Sequence, residues 1–154
     1  MTRPLAIGPF WWLLLLGLLA GPAVAEDLLM ARSTAPFAES MLQLQDAIHQ
    51  RGYVISRVQR VDIGLTRSGF KTDKYRVVFY ARPGELRRLA RQVPELIAFL
   101  PLKISIFAEG DDTLVVAANP QRLKALFAGK GLDAVFDRWT NDLMAILDRM
   151  RATE

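Results

Sequence analysis

Leu102-Lys103-Ile104-Ser105-Ile106-Phe107-Ala108, then Glu109-Gly110-Asp111-Asp112, then Thr113-Leu114-Val115-Val116-Ala117-Ala118 is the stretch on which the fold turns. Two runs rich in β-branched and aliphatic residues flank a short acidic turn with a glycine, the pattern of an antiparallel hairpin. Pro101 stops whatever precedes the first run. Asn119-Pro120 follows the second as a helix cap with proline at the first helical position, opening a short helix to Ala128. Working outward, Gly129 and Gly131 separate that helix from a last one over Leu132–Met150. Its Val135, Phe136, Trp139, Leu143, Ile146, Leu147 and Met150 form a broad apolar face.

Upstream, Tyr75–Ala81 reads as a central strand because Val77, Val78 and Phe79 are almost continuously apolar. Pro83 and Gly84 then open a helix carrying Leu86, Leu89, Ala90 and Val93; Pro94 restarts it, and Glu95–Leu100 adds one or two turns. Tyr53–Asp62 is a strand with a bulge, and Ile63–Lys74, holding two glycines and several polar residues, reads as a loop. A helix is expected over Pro36–Arg51, capped by Ser33 or Thr34 and closed by Gly52, with Phe37, Met41, Leu44 and Ile48 as its buried stripe. Leu28–Ser33 is the first strand. The expectation is one α+β domain, a mainly antiparallel sheet of about five strands with helices packed on one face.

The chain has 154 residues, enough for one ordinary domain. Residues 1–25 read as a signal peptide. Arg3 supplies the positive start, Phe10 to Ala20 is an apolar run, Gly21-Pro22 breaks it, and Ala23-Val24-Ala25 is a small-x-small cleavage site. The expected mature chain is Glu26–Glu154, periplasmic or secreted. Cysteine is absent, which excludes disulfides, thiolate metal sites, a lipid-linked cysteine and thiol nucleophiles. A single histidine excludes multi-histidine metal centres.

Charge is uneven. Residues 51–103 hold twelve Lys/Arg against four Asp/Glu, an excess of eight in a chain whose net charge is +4. Arg57, Arg60, Arg67, Lys71, Lys74, Arg76 and Arg82 precede Arg87, Arg88 and Arg91 on the predicted helix. Such a block either faces an anion or solvates a helix and discourages edge pairing. Arg57, Arg76, Arg82, Arg87 and Arg91 are the candidate anion-binding surface. Nucleic acid does not fit an exported chain with no recognised binding motif.

Candidate chemistry is sparse. His49, with Asp46 three residues earlier, suits acid–base work or ligation, but equally a helix C-terminus that favours positive charge. Glu109, Asp111 and Asp112 lack the spacing of a calcium loop. Asp62 at a strand end is either catalytic or, paired with Arg76 on the next strand, structural. Neither G-x-S-x-G nor S-x-x-K occurs, nor a phosphate-binding loop. No catalytic set, metal site or cofactor is expected. Phe127, Phe136 and Trp139 read as core.

Ala35-Pro36-Phe37, Gly52-Tyr53-Val54, Val61-Asp62-Ile63, Lys74-Tyr75-Arg76-Val77-Val78, Ala81-Arg82-Pro83, Pro94-Glu95-Leu96, Leu100-Pro101, Ile104-Ser105-Ile106-Phe107 and Val116-Ala117-Ala118-Asn119-Pro120 follow one another in an order and spacing that resembles the domain of unknown function 302 family, over Leu28 to Met150. The resemblance implies a compact α+β fold, often associated as a homodimer, and no established reaction. It also implies cysteines in many relatives where Ala81 and Leu102 stand, which this chain lacks. Asp62, Tyr75, Pro83, Glu95 and Pro101 carry the pattern, in mainly architectural roles. The functional expectation is a non-enzymatic exported module holding a small anionic ligand, a lipid headgroup or a protein partner. The alternative is a small periplasmic hydrolase or isomerase working through Asp62, His49 or Glu95, recognisable by their convergence on one cavity.

Overall fold

The computed structural model describes residues 27–69 and 74–151. The expected leader, its cleavage site at Ala25-Glu26, and Lys71 of the basic block lie outside the described residues. Five strands form one antiparallel sheet: β1 (Leu28–Ser33), β2 (Val54–Arg60), β3 (Tyr75–Ala81), β4 (Leu102–Glu109) and β5 (Asp112–Ala118), in the order β1-β5-β4-β3-β2. Helix α1 (Phe37–Gln50) connects β1 to β2, α2 (Val61–Arg67) follows β2, and α3 (Glu85–Gln92) follows β3. A 3₁₀ turn over Pro94–Phe99 precedes β4; a second over Pro120–Arg122 and the single-turn α4 (Leu123–Leu126) lead to the long α5 (Asp133–Arg151).

The hairpin that decides the fold closes through Gly110-Asp111, with Glu109 opposite Asp112. Gly110 has φ 60° and no non-glycine residue has positive φ among the described residues, so left-handed geometry falls on the first central residue, as a II′-type connection requires. Across the sheet, burial alternates with the pleat. Ala31, Val78, Tyr80, Ile104, Ile106, Val115 and Ala117 are buried on one face. The other face carries partly exposed Val77, Phe79, Phe107, Leu114 and Val116. The buried face packs against Leu44 and Ile48 of α1, Leu89 of α3, Leu96 of the 3₁₀ turn, and Phe136, Trp139, Leu143, Ile146 and Leu147 of α5. Phe127, Phe136 and Trp139 are therefore core, in tilted ring contacts at 5.6–6.0 Å between centres.

Three local expectations are corrected. The first concerns Ile63–Lys74, whose beginning is helical: α2 runs over Val61–Arg67, so Asp62 lies in its first turn and not at the end of a strand. This helix buries no residue, so it left no apolar stripe to read. It places Asp62 at its positive end and Arg67 at its negative end, where each charge opposes the helix dipole. The second concerns α1, which has no side-chain cap; Pro36 occupies the cap position. Ser33 instead accepts the Ala35 N–H at 3.2 Å and bonds the Ser40 hydroxyl at 3.0 Å, satisfying polar groups inside the β1–α1 corner. The third concerns Glu109, which belongs to β4, not to the turn alone. The β2 bulge does occur: Ile55 faces Tyr80 and Arg57 faces Phe79, leaving Ser56 as the extra residue.

Candidate functional site

The sheet register brings Phe79 beside Lys103 and Tyr80 beside Leu102, where β3 ends and β4 begins. β5 ends alongside, at Ala117 and Ala118. Helices do not fill this end. Two short proline-opened segments lie there, Pro94–Phe99 and Pro120–Leu126, and between them and the sheet is a cavity of about 480 Å³, within the range that holds a small ligand. The peptide bond between Leu100 and Pro101, in its wall, is cis.

Ala117, Leu102 and Tyr80 form the sheet side of the cavity, with Phe79 and Lys103 bordering it from the opposite face of the sheet; Phe99, Leu123 and Leu126 form the other side, with Leu143 of α5 reaching in. Phe99 and Leu126 are 44% and 66% exposed, so the mouth is rimmed by hydrocarbon open to solvent. Leu102, one of the two positions at which the family resemblance implies cysteine in relatives, is part of this thiol-free wall. The polar lining residues are Asp27, Tyr80, Lys103, Asn119 and Arg122. Arg122 is paired with Asp27, and Asn119 Oδ1 accepts the Gln121 N–H at 3.0 Å. Burial pushes the Tyr80 phenol far above its ordinary value, so it stays neutral. Lys103 has no carboxylate within 4.0 Å among the described residues.

The basic candidates divide. Arg76 donates to Asp62 at 2.6 Å and lies over the Phe37 ring at 5.7 Å. Burial opposes the Asp62 charge, but Arg76 and then Arg60 outweigh it and hold this carboxyl below its ordinary value. Arg82 donates to Asp142 at 2.8 Å and covers the Tyr53 ring at 4.9 Å. Arg57 is exposed on β2, and Arg87 and Arg91 are exposed on α3, where they line a shallow groove with Arg88. Tyr75 meets Phe107 edge to face at 5.7 Å on the less buried sheet face. None of these residues lines the cavity.

The acid–base candidates do not meet. His49, in the last turn of α1, is 3.2 Å from the Tyr53 carbonyl oxygen through Nδ1. Glu95 is 4.0 Å from Lys130, and Asp62 is bound to its two arginines. No one of the three lines the cavity. Glu109 and Asp112 both hold Arg32, and no metal-binding group of three His, Cys, Asp or Glu occurs among the described residues.

Asp142 and the cavity itself went unread in the sequence. Asp142 is 3% exposed on the buried side of α5 and accepts from Tyr53 Oη at 2.8 Å, Arg51 Nε at 3.0 Å and Arg82 Nη2 at 2.8 Å. Its burial opposes the charge, yet the Tyr53 and Arg51 hydrogen bonds and the two guanidinium charges hold the carboxyl below its ordinary value. A signal existed: Asp142 stands three residues after Trp139 and four before Ile146, on the helical stripe, where an acid must find partners.

A family model described as Domain of unknown function DUF302 matches residues 30–150. The crystal structure of an uncharacterized conserved protein DUF302 from Bacillus stearothermophilus is similar in fold, with a TM-score of 0.73 at 20% identity, covering 82% of this chain and 100% of that one. No curated protein matches the chain.

Proposed function

This chain belongs to the DUF302 family of domains of unknown function, and we propose from its own geometry that it is a binding module, holding a small and mostly apolar ligand in the cavity at the end of the sheet. The observation that carries the reading is that cavity: about 480 Å³, walled by Leu102, Ala117, Phe99, Leu123 and Leu143, and open at an apolar rim. Holding, as opposed to transforming, is supported by the separation of His49, Asp62 and Glu95, since acid–base work needs such groups within hydrogen-bond reach of one substrate. We further propose that the module works outside the cytoplasm, in the periplasm or as a secreted protein, its leader ending near Ala25; intact mass of the native protein tests that part.

Thermal unfolding with a panel of apolar and amphipathic small molecules tests the binding. A ligand at one hundred times its Kd adds about 2.7 kcal/mol to stability, a shift of roughly 10 °C for a domain of this size. Ala98→Trp, at an exposed lining position, fills the cavity and abolishes the shift. A panel that stabilises the wild type and this variant equally defeats the proposal.

A second, weaker site has its own observation. Arg87, Arg88 and Arg91 line one groove on α3, and among the described residues only Arg88 has a carboxylate nearby, Glu85 at 3.7 Å. This surface suits anionic headgroups, with the steep salt dependence of exposed charge.

A further inference from the structure

We infer that the cavity takes a single acyl chain ending in an anionic head, with the hydrocarbon inside and the head at its mouth beside Lys103. The inference rests on the binding-module reading and adds to it a ligand class. Four observations carry it. Hydrocarbon makes up most of the walls, and of the polar lining residues Asp27 and Arg122 hold each other and Asn119 accepts from Gln121, so a sugar or nucleotide would find too few partners for its hydroxyls and amides on entry. Charges at the site are unequal: Asp27 and Arg122 answer each other, whereas Lys103, exposed, is left without a carboxylate among the described residues. An uncompensated cation beside an apolar opening selects an apolar body with a negative end. Phe99 and Leu126 extend the apolar surface outward past the cavity, as a chain that enters from solvent requires. Finally, at ~30 Å³ for each water-sized group, 480 Å³ corresponds to roughly sixteen methylene-sized units, the scale of a single acyl chain.

Calorimetric titration of the whole chain, with straight-chain carboxylates from about eight to about sixteen carbons below their micelle concentrations, tests this. Each added methylene is expected to tighten Kd about fourfold, at the transfer free energy of a buried CH₂, until the cavity is full and the series flattens. Alcohols of the same length are expected to bind about fivefold more weakly. Lys103→Gln is expected to abolish that head preference and keep the chain-length series. Lys103 lies at the surface, so this variant leaves the core untouched. If alcohols bind as tightly as carboxylates and Lys103→Gln changes nothing, the anionic assignment is wrong while the cavity remains a binding site. If neither series binds, and Ala98→Trp is indistinguishable from the wild type, both the inference and the reading beneath it fall.

Discussion

Asp142→Asn isolates the one buried charge that ties α5 to the β2 and β3 strand ends. The wild-type carboxylate accepts from Arg51, Tyr53 and Arg82. Asparagine keeps one acceptor but turns an NH₂ toward one of those donors. Charge-assisted bonds are ordinarily worth ~1.5–3 kcal/mol; here the arginine side chains are 44% and 35% exposed, so solvent screening reduces each to about 1 kcal/mol. The buried Tyr53 hydroxyl, facing a donor or left unpaired, adds about 1 kcal/mol more. The expected loss is about 3 kcal/mol at pH 7, a fall of roughly 10 °C in Tm or of about 1.5 M in the urea midpoint. The pH dependence has a definite sign. The folded carboxyl titrates below its ordinary value, so the stabilisation is complete above the unfolded value of about 3.9 and disappears as pH falls through the lower folded one. The gap between wild type and variant therefore narrows below about pH 4. Urea unfolding from pH 7 to pH 2 reads both effects. A gap under ~1 kcal/mol at neutral pH, or one that persists unchanged in acid, would refute the account of Asp142 as a paired buried anion.

Tyr53→Phe removes one of the donors and is expected to cost about 1 kcal/mol; combined with Asp142→Asn its cost falls, and a double-mutant cycle by urea unfolding measures that coupling. Leu96→Ala empties a fully buried position beneath the Pro94–Phe99 wall, with an expected cost of about 3 kcal/mol and a parallel loss of ligand affinity in calorimetry. Gly84→Ala places a Cβ in open space but at φ 73°, so its cost is backbone strain alone, about 1 kcal/mol by thermal unfolding. Arg87→Glu with Arg91→Glu is expected to abolish salt-sensitive adsorption to anionic vesicles in a sedimentation assay, while calorimetric affinity at the cavity stays unchanged because neither residue lines it.

The sheet was legible because its strands carry dense β-branched runs and its turns carry glycine where the backbone needs positive φ, as at Gly110. The α5 core was legible because Phe136, Trp139, Leu143, Ile146 and Met150 recur at helical spacing. What escaped notice lacks periodicity. α2 buries nothing, so no stripe distinguishes it from a loop. The Asp142 cluster joins residues 51, 53, 82 and 142, up to 91 positions apart, and no local pattern encodes such a meeting. Arg76 and Asp62, by contrast, are open to pairing on sight, because Asp62 follows directly on β2, whose last residue, Arg60, lies opposite Arg76 across the sheet.

The cavity follows from punctuation that the sequence does show. Pro94 lacks the N–H that would continue α3, and Pro101 ends the turn that Pro94 begins, leaving six residues of 3₁₀ geometry over the sheet end. Pro120 likewise opens a three-residue 3₁₀ turn and a helix of four residues before the glycines at 129 and 131. A segment of one or two turns can bury one anchor, as Leu96 is buried, but cannot lay a continuous apolar stripe against a sheet as α5 does. The end of the sheet is thus covered at points and left open between them. A fold that needed only stability would close such a gap with one longer helix, since unfilled apolar space forfeits packing energy. Keeping it open and apolar, beside a lysine with no carboxylate partner among the described residues, is what a binding site requires, and the scattered acids and the histidine share no such enclosure.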